Sequence, residues 1–314
     1  MTVKEVFELR KQGKTEEAYA TIRPMYAVHK GKYTTLCMFW TASDILKIRV
    51  KEGRIDEAVK IFKALIRILP NIDDPDGKAR STIYHEAVIL AKEARDFSML
   101  DFVGQLKAED LNEEDWKTGT TPATPDTPAH PIPSLAQQML TCAFREIRHN
   151  PTVDNALKVM PLLQEGVNRR PHDKNIQRHM AVVYRIMGEE EKARAIYRRL
   201  LVRCHDSFLY AELAELTHGA PGHKAALYCR AILNQKQEKF RTGYRLELAR
   251  LLLDRDKAKA LHELQKCVDT RKALGLFATT EMQAMMQQLH GTTPSSDAEQ
   301  QAFYKKMTER FPVS

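Results

Sequence analysis

A six-residue phrase returns three times in this chain: a Gly, four mostly charged or polar residues, then an Ala. It reads Gly13-Lys14-Thr15-Glu16-Glu17-Ala18, Gly53-Arg54-Ile55-Asp56-Glu57-Ala58 and Gly188-Glu189-Glu190-Glu191-Lys192-Ala193. Four residues beyond each Ala stands Ile22, Phe62 or Tyr197, and three beyond that Met25, Leu65 or Leu200. Apolar residues at spacings of three and four line one face of a helix. A helical period that recurs in one form implies stacked helix–turn–helix units, each burying its apolar face only against its neighbours. Such a stack presents a long surface, so binding is the expected role.

The rest of the chain agrees with an all-α reading. Hydrophobic residues make up 43% and charged residues 29%, and only 13 Gly occur in 314 residues. No segment shows the alternation of a strand. No stretch approaches the roughly 18 uninterrupted apolar residues of a membrane span. Lys4, Glu5 and Glu8 stand where a signal peptide would be apolar, so a cytoplasmic location and no membrane partner are expected. Five scattered cysteines (Cys37, Cys142, Cys204, Cys229, Cys267) include no Cys-x-x-Cys pair, which argues against a disulfide framework or a zinc site. The net charge of +8 favours acidic peptides, anionic surfaces or nucleic acid as partners.

Periodicity divides the chain into hairpins at residues 3–30, 34–70 and 79–111, then 135–170, 174–204, 207–235 and 241–272. A helix at 279–289 and a last amphipathic helix at 297–310 follow. Pro24 falls within the second helix and is expected to bend or break it. Between the two sets of hairpins, Pro122, Pro125, Pro128, Pro131 and Pro133 stand among Thr and Ala. Their spacing suits polyproline II and a stiff, solvated linker, or a ligand for a proline-reading domain. The expected organisation is a block at 1–111, a linker or loop at 112–134, a second block at 135–290, and a turn with a terminal helix at 291–314.

These units resemble the tetratricopeptide repeat family, most closely at 174–207, with Ala181, Tyr184, Gly188, Ala193, Tyr197 and Leu200. The 39–72 unit matches through Gly53, Ala58, Phe62, Leu65 and Pro70, but has Arg49 where the family usually has an aromatic. The 79–111 unit lacks the Gly and carries Arg95-Asp96 at its turn. The resemblance implies an α-solenoid of about seven hairpins, in which the first helix of each unit lines a concave face. The run from Tyr26 to Tyr33 and on through Phe39-Trp40 also resembles bacterial tetratricopeptide proteins of conflict or defence loci. Some of those continue into a small β-barrel, for which no sequence is visible here.

The resemblance makes a non-catalytic scaffold for a partner protein or peptide the leading reading. Lys47, Lys51, Arg178, Arg185 and Arg245 fall on first helices and would supply charge complementarity, since Arg grips carboxylate and phosphate alike. Trp40 and Tyr210 would supply aromatic contacts. Alternatively these cations form ordinary solvated faces and the aromatics pack in the core. The row Arg194, Arg198, Arg199 and Arg203 raises a second function, a nucleic-acid-associated module of a defence system. The eleven histidines include no His-Glu-x-x-His, and His218, His223 and His262 are too dispersed for a metal site. No phosphate-cradling Gly loop or Gly-x-Ser-x-Gly elbow is present, so no cofactor and no catalysis are expected.

Overall fold

The structure, a computed structural model, describes residues 1–123 and 127–313, with Ala108 by its backbone alone. Pro125 and Asp126 therefore lie outside the described residues. Among those described are sixteen α-helices and one two-stranded ribbon. The fold is all-α and built from helix–turn–helix units.

The recurring phrase is one turn made three times. After α1 (Val3–Lys11), Gly13 takes φ 77°, its N–H donates to the Arg10 carbonyl at 3.0 Å, and the Lys14 N–H donates to Leu9 at 3.0 Å. This is the Schellman closure of a helix end. Gly53 at φ 73° and Arg54 repeat it on Val50 and Arg49, and Gly188 at φ 79° and Glu189 repeat it on Arg185 and Tyr184. No atom lies within 4 Å of where a Cβ would stand at any of the three. Glycine is needed there for its backbone angle, not for space. The residue after each Gly starts the next helix, and Ala18, Ala58 and Ala193 are wholly buried one turn in. Ile22, Phe62 and Tyr197 are buried one turn further on.

Cα packing divides the chain into two compact units, Met1–Met180 and Ala181–Ser314. The division falls inside α9 (Lys174–Ile186), whereas the sequence reading divides the chain at 112–134.

In the first unit, α1, α2 (Thr15–Val28), α3 (Lys32–Lys51), α4 (Ile55–Ile68) and α5 (Lys78–Glu93) pack in chain order. The first helices of successive hairpins, α1, α3, α5 and α7 (Leu135–His149), also touch one another and form a continuous face. α2 runs through Pro24 without ending there, because Pro24 is exposed and the carbonyl it leaves unbonded faces water. The hairpin at 79–111 is reduced: its second helix is only α6 (Met99–Val103). An aromatic cluster fills the space, with Phe62 edge-on to Phe97 at 5.3 Å and to Phe102 at 5.7 Å.

The proline-rich stretch is tied down on both sides. Trp116 is buried against α8 (Val153–Arg169), where a Cβ on Gly166 would come within 3.3 Å of its indole. Gly119–Thr120 (β1) then pairs antiparallel with Pro131–Ile132 (β2), with Gly119 opposite Ile132. The segment thus folds back on itself as a short exposed ribbon, and α6 lies directly against α7 and α8.

In the second unit, α10 (Glu190–Leu201), α11 (Ser207–Glu215), α12 (Pro221–Asn234), α13 (Glu238–Leu252), α14 (Lys257–Ala273) and α15 (Thr280–Gln288) follow in order. α16 (Asp297–Arg310) returns to pack on α12. No helix among the described residues is long and apolar enough to cross a membrane.

Candidate partner-binding surface

The face shared by α3, α5 and α7 carries a groove of about 750 Å³. Trp40 on α3, Ser81 and His85 on α5, Asn112 in the following loop, Ile132 on β2 and Leu135 on α7 line it. Trp40 is half-buried, its ring edge-on to Phe39 at 5.1 Å with the Arg10 guanidinium 5.9 Å above it. The ribbon supplies an apolar wall, since β2 directs Ile132 and the adjoining Pro133 into the groove.

The lining also carries Asp76, Glu114 and Asp115 beside Lys78 and Lys117, and a basic row lies beyond it, further along the same helices. Lys47 and Lys51 lie seven and eleven residues beyond Trp40, within about 20° of the same line along α3. Both are exposed, as are Lys92 at the end of α5 and Arg145 on α7. None of these four cations has a carboxylate within ion-pair distance among the described residues. Their fields reach inward. Burial raises the Cys142 thiol pKa, and Arg145 and Lys92 oppose the rise. Desolvation is the largest cause holding His85 below its ordinary value; Asp115 opposes it and Lys47 adds to it.

Beneath the row lies Glu86, wholly buried on α5. The Ser43 hydroxyl donates to its Oε1, and Oε2 has no partner. Burial pushes its pKa up to about 7, against the opposing pull of Ser43 and Lys47.

Of the residues singled out in the sequence, Trp40, Lys47 and Lys51 come together here. The others do not join them. Arg185 is half-buried and ion-paired with Glu215, and Arg178, on the same helix α9, is half-buried with interactions of its own. Arg245 and Tyr210 are each only 5% exposed, which corrects their assignment to an open surface. Tyr210 packs with its hydroxyl 2.8 Å from His205 Nδ1. Arg245 is held by Glu263 at 2.7 Å, Glu238 at 2.8 Å and the Tyr304 hydroxyl at 3.0 Å. Tyr304 and Gln300 come from α16, and both also donate to Glu263. The sequence reading leaves α16 as an appendage; its return over α13 and α14 is what covers Arg245.

The Arg row on α10 is partly spent within the protein, Arg194 pairing with Glu190 and Glu191 and donating to the Leu216 carbonyl at 2.6 Å. His218 lies 3.2 Å from Glu190, His223 packs on Phe311, and His262 is buried with Nδ1 2.8 Å from the Ser295 carbonyl. Sequence reasoning missed Lys92, the wall made by Ile132 and Pro133, and Glu86. The seven-residue spacing of Glu86 from Glu93 carries no signal, because only the packing of α3 on α5 buries it.

A family model described as a domain of unknown function, DUF7017, matches residues 176–310. No curated protein matches the chain. Among solved structures, the chain is similar to a tetratricopeptide repeat protein from Parabacteroides merdae ATCC 43184. The identity is 11% and the TM-score 0.36, over 91% of this chain and 96% of that one.

Proposed function

We propose that the protein is a non-catalytic scaffold that holds a partner protein through an acidic segment on the α3–α5–α7 face. The observation that carries this reading is the row Lys47, Lys51, Lys92 and Arg145, without carboxylate partners among the described residues, on the same three helices that line the Trp40 groove. An aromatic or aliphatic side chain of the segment would enter the groove against Trp40, Ile132 and Leu135. Its carboxylates would meet the four cations further along the same helices. Ser81, Asn112 and Gln138 line the groove, and a backbone lying across it would share the bonds that Asn112 makes to Ser81 at 3.2 Å and Gln138 to the Pro133 carbonyl at 3.0 Å. The face is made by helices already packed together, so little ordering opposes binding.

The test is recovery of partners from the native cell on the full chain, compared with a Lys47→Glu/Arg145→Glu variant and with Trp40→Ala. Loss of the same partner in both variants, at about tenfold or more, is expected, since hot-spot truncation typically costs 2 kcal/mol or more. Unchanged recovery overturns the reading. Capture that vanishes on nuclease treatment and falls steeply with salt would instead assign the face to nucleic acid.

A further inference from the structure

Every large apolar side chain that the second unit exposes lies at one edge. These are Val202, Leu233, Phe240, Leu274, Leu276 and Phe277, with Phe277 exposed to 91% and Val202 to 79%. They come from the ends of α10, α12, α13 and α14 and from the loops between successive hairpins. Contacts join those loops side by side. Gln235 donates to Ser207 Oγ at 3.2 Å, and Ser207 Oγ lies 3.4 Å from the Tyr244 hydroxyl. The Cys267 thiol donates to the Thr242 carbonyl at 3.3 Å, which sets the last turns of α14 beside the first turns of α13.

The most exposed of these loops has a fixed shape. Gly275 at φ 71° closes α14, the Leu276 N–H donates to Arg271 at 2.9 Å, and Arg271 Nε donates to the Phe277 carbonyl at 2.7 Å. Leu276 and Phe277 are therefore held outward by hydrogen bonds, at the end of a structured turn. Four cations flank the row: Lys236, Lys239, Arg271 and Lys272. None has a carboxylate within ion-pair distance among the described residues, and Lys239 sits 4.9 Å over the Phe240 ring. The acids at this edge are fewer: Glu238 is taken up by Arg241 and Arg245, Asp206 has interactions of its own, and Asp269 is exposed on α14.

We propose that this edge docks onto an anionic lipid surface. Apolar tips that project from several loops, ringed by unpaired cations, complement a plane whose headgroups are negative and whose interior is apolar. A window of hydropathy along the sequence does not register such a surface, because its residues are spread from 202 to 277. The proposal is independent of the α3–α5–α7 face.

The experiment is sedimentation of the full chain with vesicles of phosphatidylcholine containing about 30% phosphatidylglycerol, and with vesicles of phosphatidylcholine alone. Binding to the anionic vesicles only is expected. It should fall about tenfold in Leu276→Asp/Phe277→Asp and in Lys236→Glu/Lys239→Glu. All four residues are exposed, and unchanged far-ultraviolet circular dichroism verifies that the variants fold. Lys47→Glu/Arg145→Glu should sediment like the native chain. A Phe277→Trp variant should be quenched by brominated lipid. Absence of sedimentation at low salt overturns the proposal, as does equal binding by the Asp double variant. A mass that rises with protein concentration and is abolished by that variant would overturn it too, by making a second copy the occupant.

Discussion

Each unit buries one glutamate completely, and the two are satisfied very differently. Glu263 in the second unit receives Arg245, Gln300 and Tyr304, one cation and two neutral donors from two other helices. Glu86 in the first unit has a single hydroxyl and one bare oxygen. Removing a carboxylate from water is costly unless charge and hydrogen bonds replace the water. In the second unit that replacement fastens the terminal helix. In the first it is incomplete, and the group's proton affinity rises instead, to about pKa 7. Identical residues at identical burial thus act as a clasp in one place and a titrating weak point in the other.

The largest effect should come from breaking the clasp on one side. Arg245→Met leaves Glu263 buried without its cation and should cost about 3–5 kcal/mol in urea unfolding followed by circular dichroism. A cost below about 1 kcal/mol would mean that the network does not hold α16. Glu263→Gln made together with Arg245→Met should recover much of the loss, since the uncompensated charge is then gone.

The weak point should show in pH. Glu86 has its pKa raised from 4.5 to about 7, so between those values the native state holds a proton that the unfolded chain has released. Its contribution is complete below the unfolded value and is lost as pH climbs through the folded one. The decline amounts to about 3 kcal/mol by pH 8. Glu86→Gln, neutral at every pH, should remove that decline and leave the variant the more stable form at pH 8. Parallel pH profiles for variant and native chains would refute the assignment.

A smaller pair of effects has opposite signs. Gly188→Ala forces a β-carbon into a left-handed turn at φ 79° and should destabilise by about 1 kcal/mol, although no neighbour obstructs it. Gly243→Ala lies within α13, is equally unobstructed, and should stabilise by about 0.5–1 kcal/mol. Thermal unfolding of both distinguishes a required glycine from an incidental one. Smallest of all is Glu281→Gln. It opens the forked ion pair with Arg250 that ties α15 to α13, one contact at 2.7 Å, and should cost about 0.5 kcal/mol because both partners are well exposed.

What could be read from the residues was whatever the residues decide locally. The three Gly phrases specify their own turns through φ and two hydrogen bonds, so the turns of three hairpins were legible. The last helix was equally clear, because Ser296 and Glu299 cap it reciprocally, Glu299 Oε2 accepting from the Ser296 N–H at 2.8 Å. Pro24 does not break α2: its cost is a single hydrogen bond at a solvated position, which packing by Ala18 and Ile22 outweighs. The hairpin at 79–111 was legible as an irregular unit with its turn at Arg95-Asp96, but the shortness of α6 was not, since an aromatic cluster assembled from Phe62, Phe97 and Phe102 takes the place of further helix. The site was half legible. Trp40, Lys47 and Lys51 share a helical line, but Lys92 and Arg145 reach them only through helix packing, and Arg245 and Tyr210 are covered by elements distant or unmarked in sequence.

The clasp also has a consequence in time. A ribosome delivers α13 and α14 with Arg245 and Glu263 well before residues 300–304 exist, so the nascent unit carries an unfinished ionic centre until its final helix emerges. The helices α1 to α8 all precede that centre in the chain and are made before it. Assembly of the second unit is thereby given a direction, its ionic centre being sealed by the helix of that unit made latest.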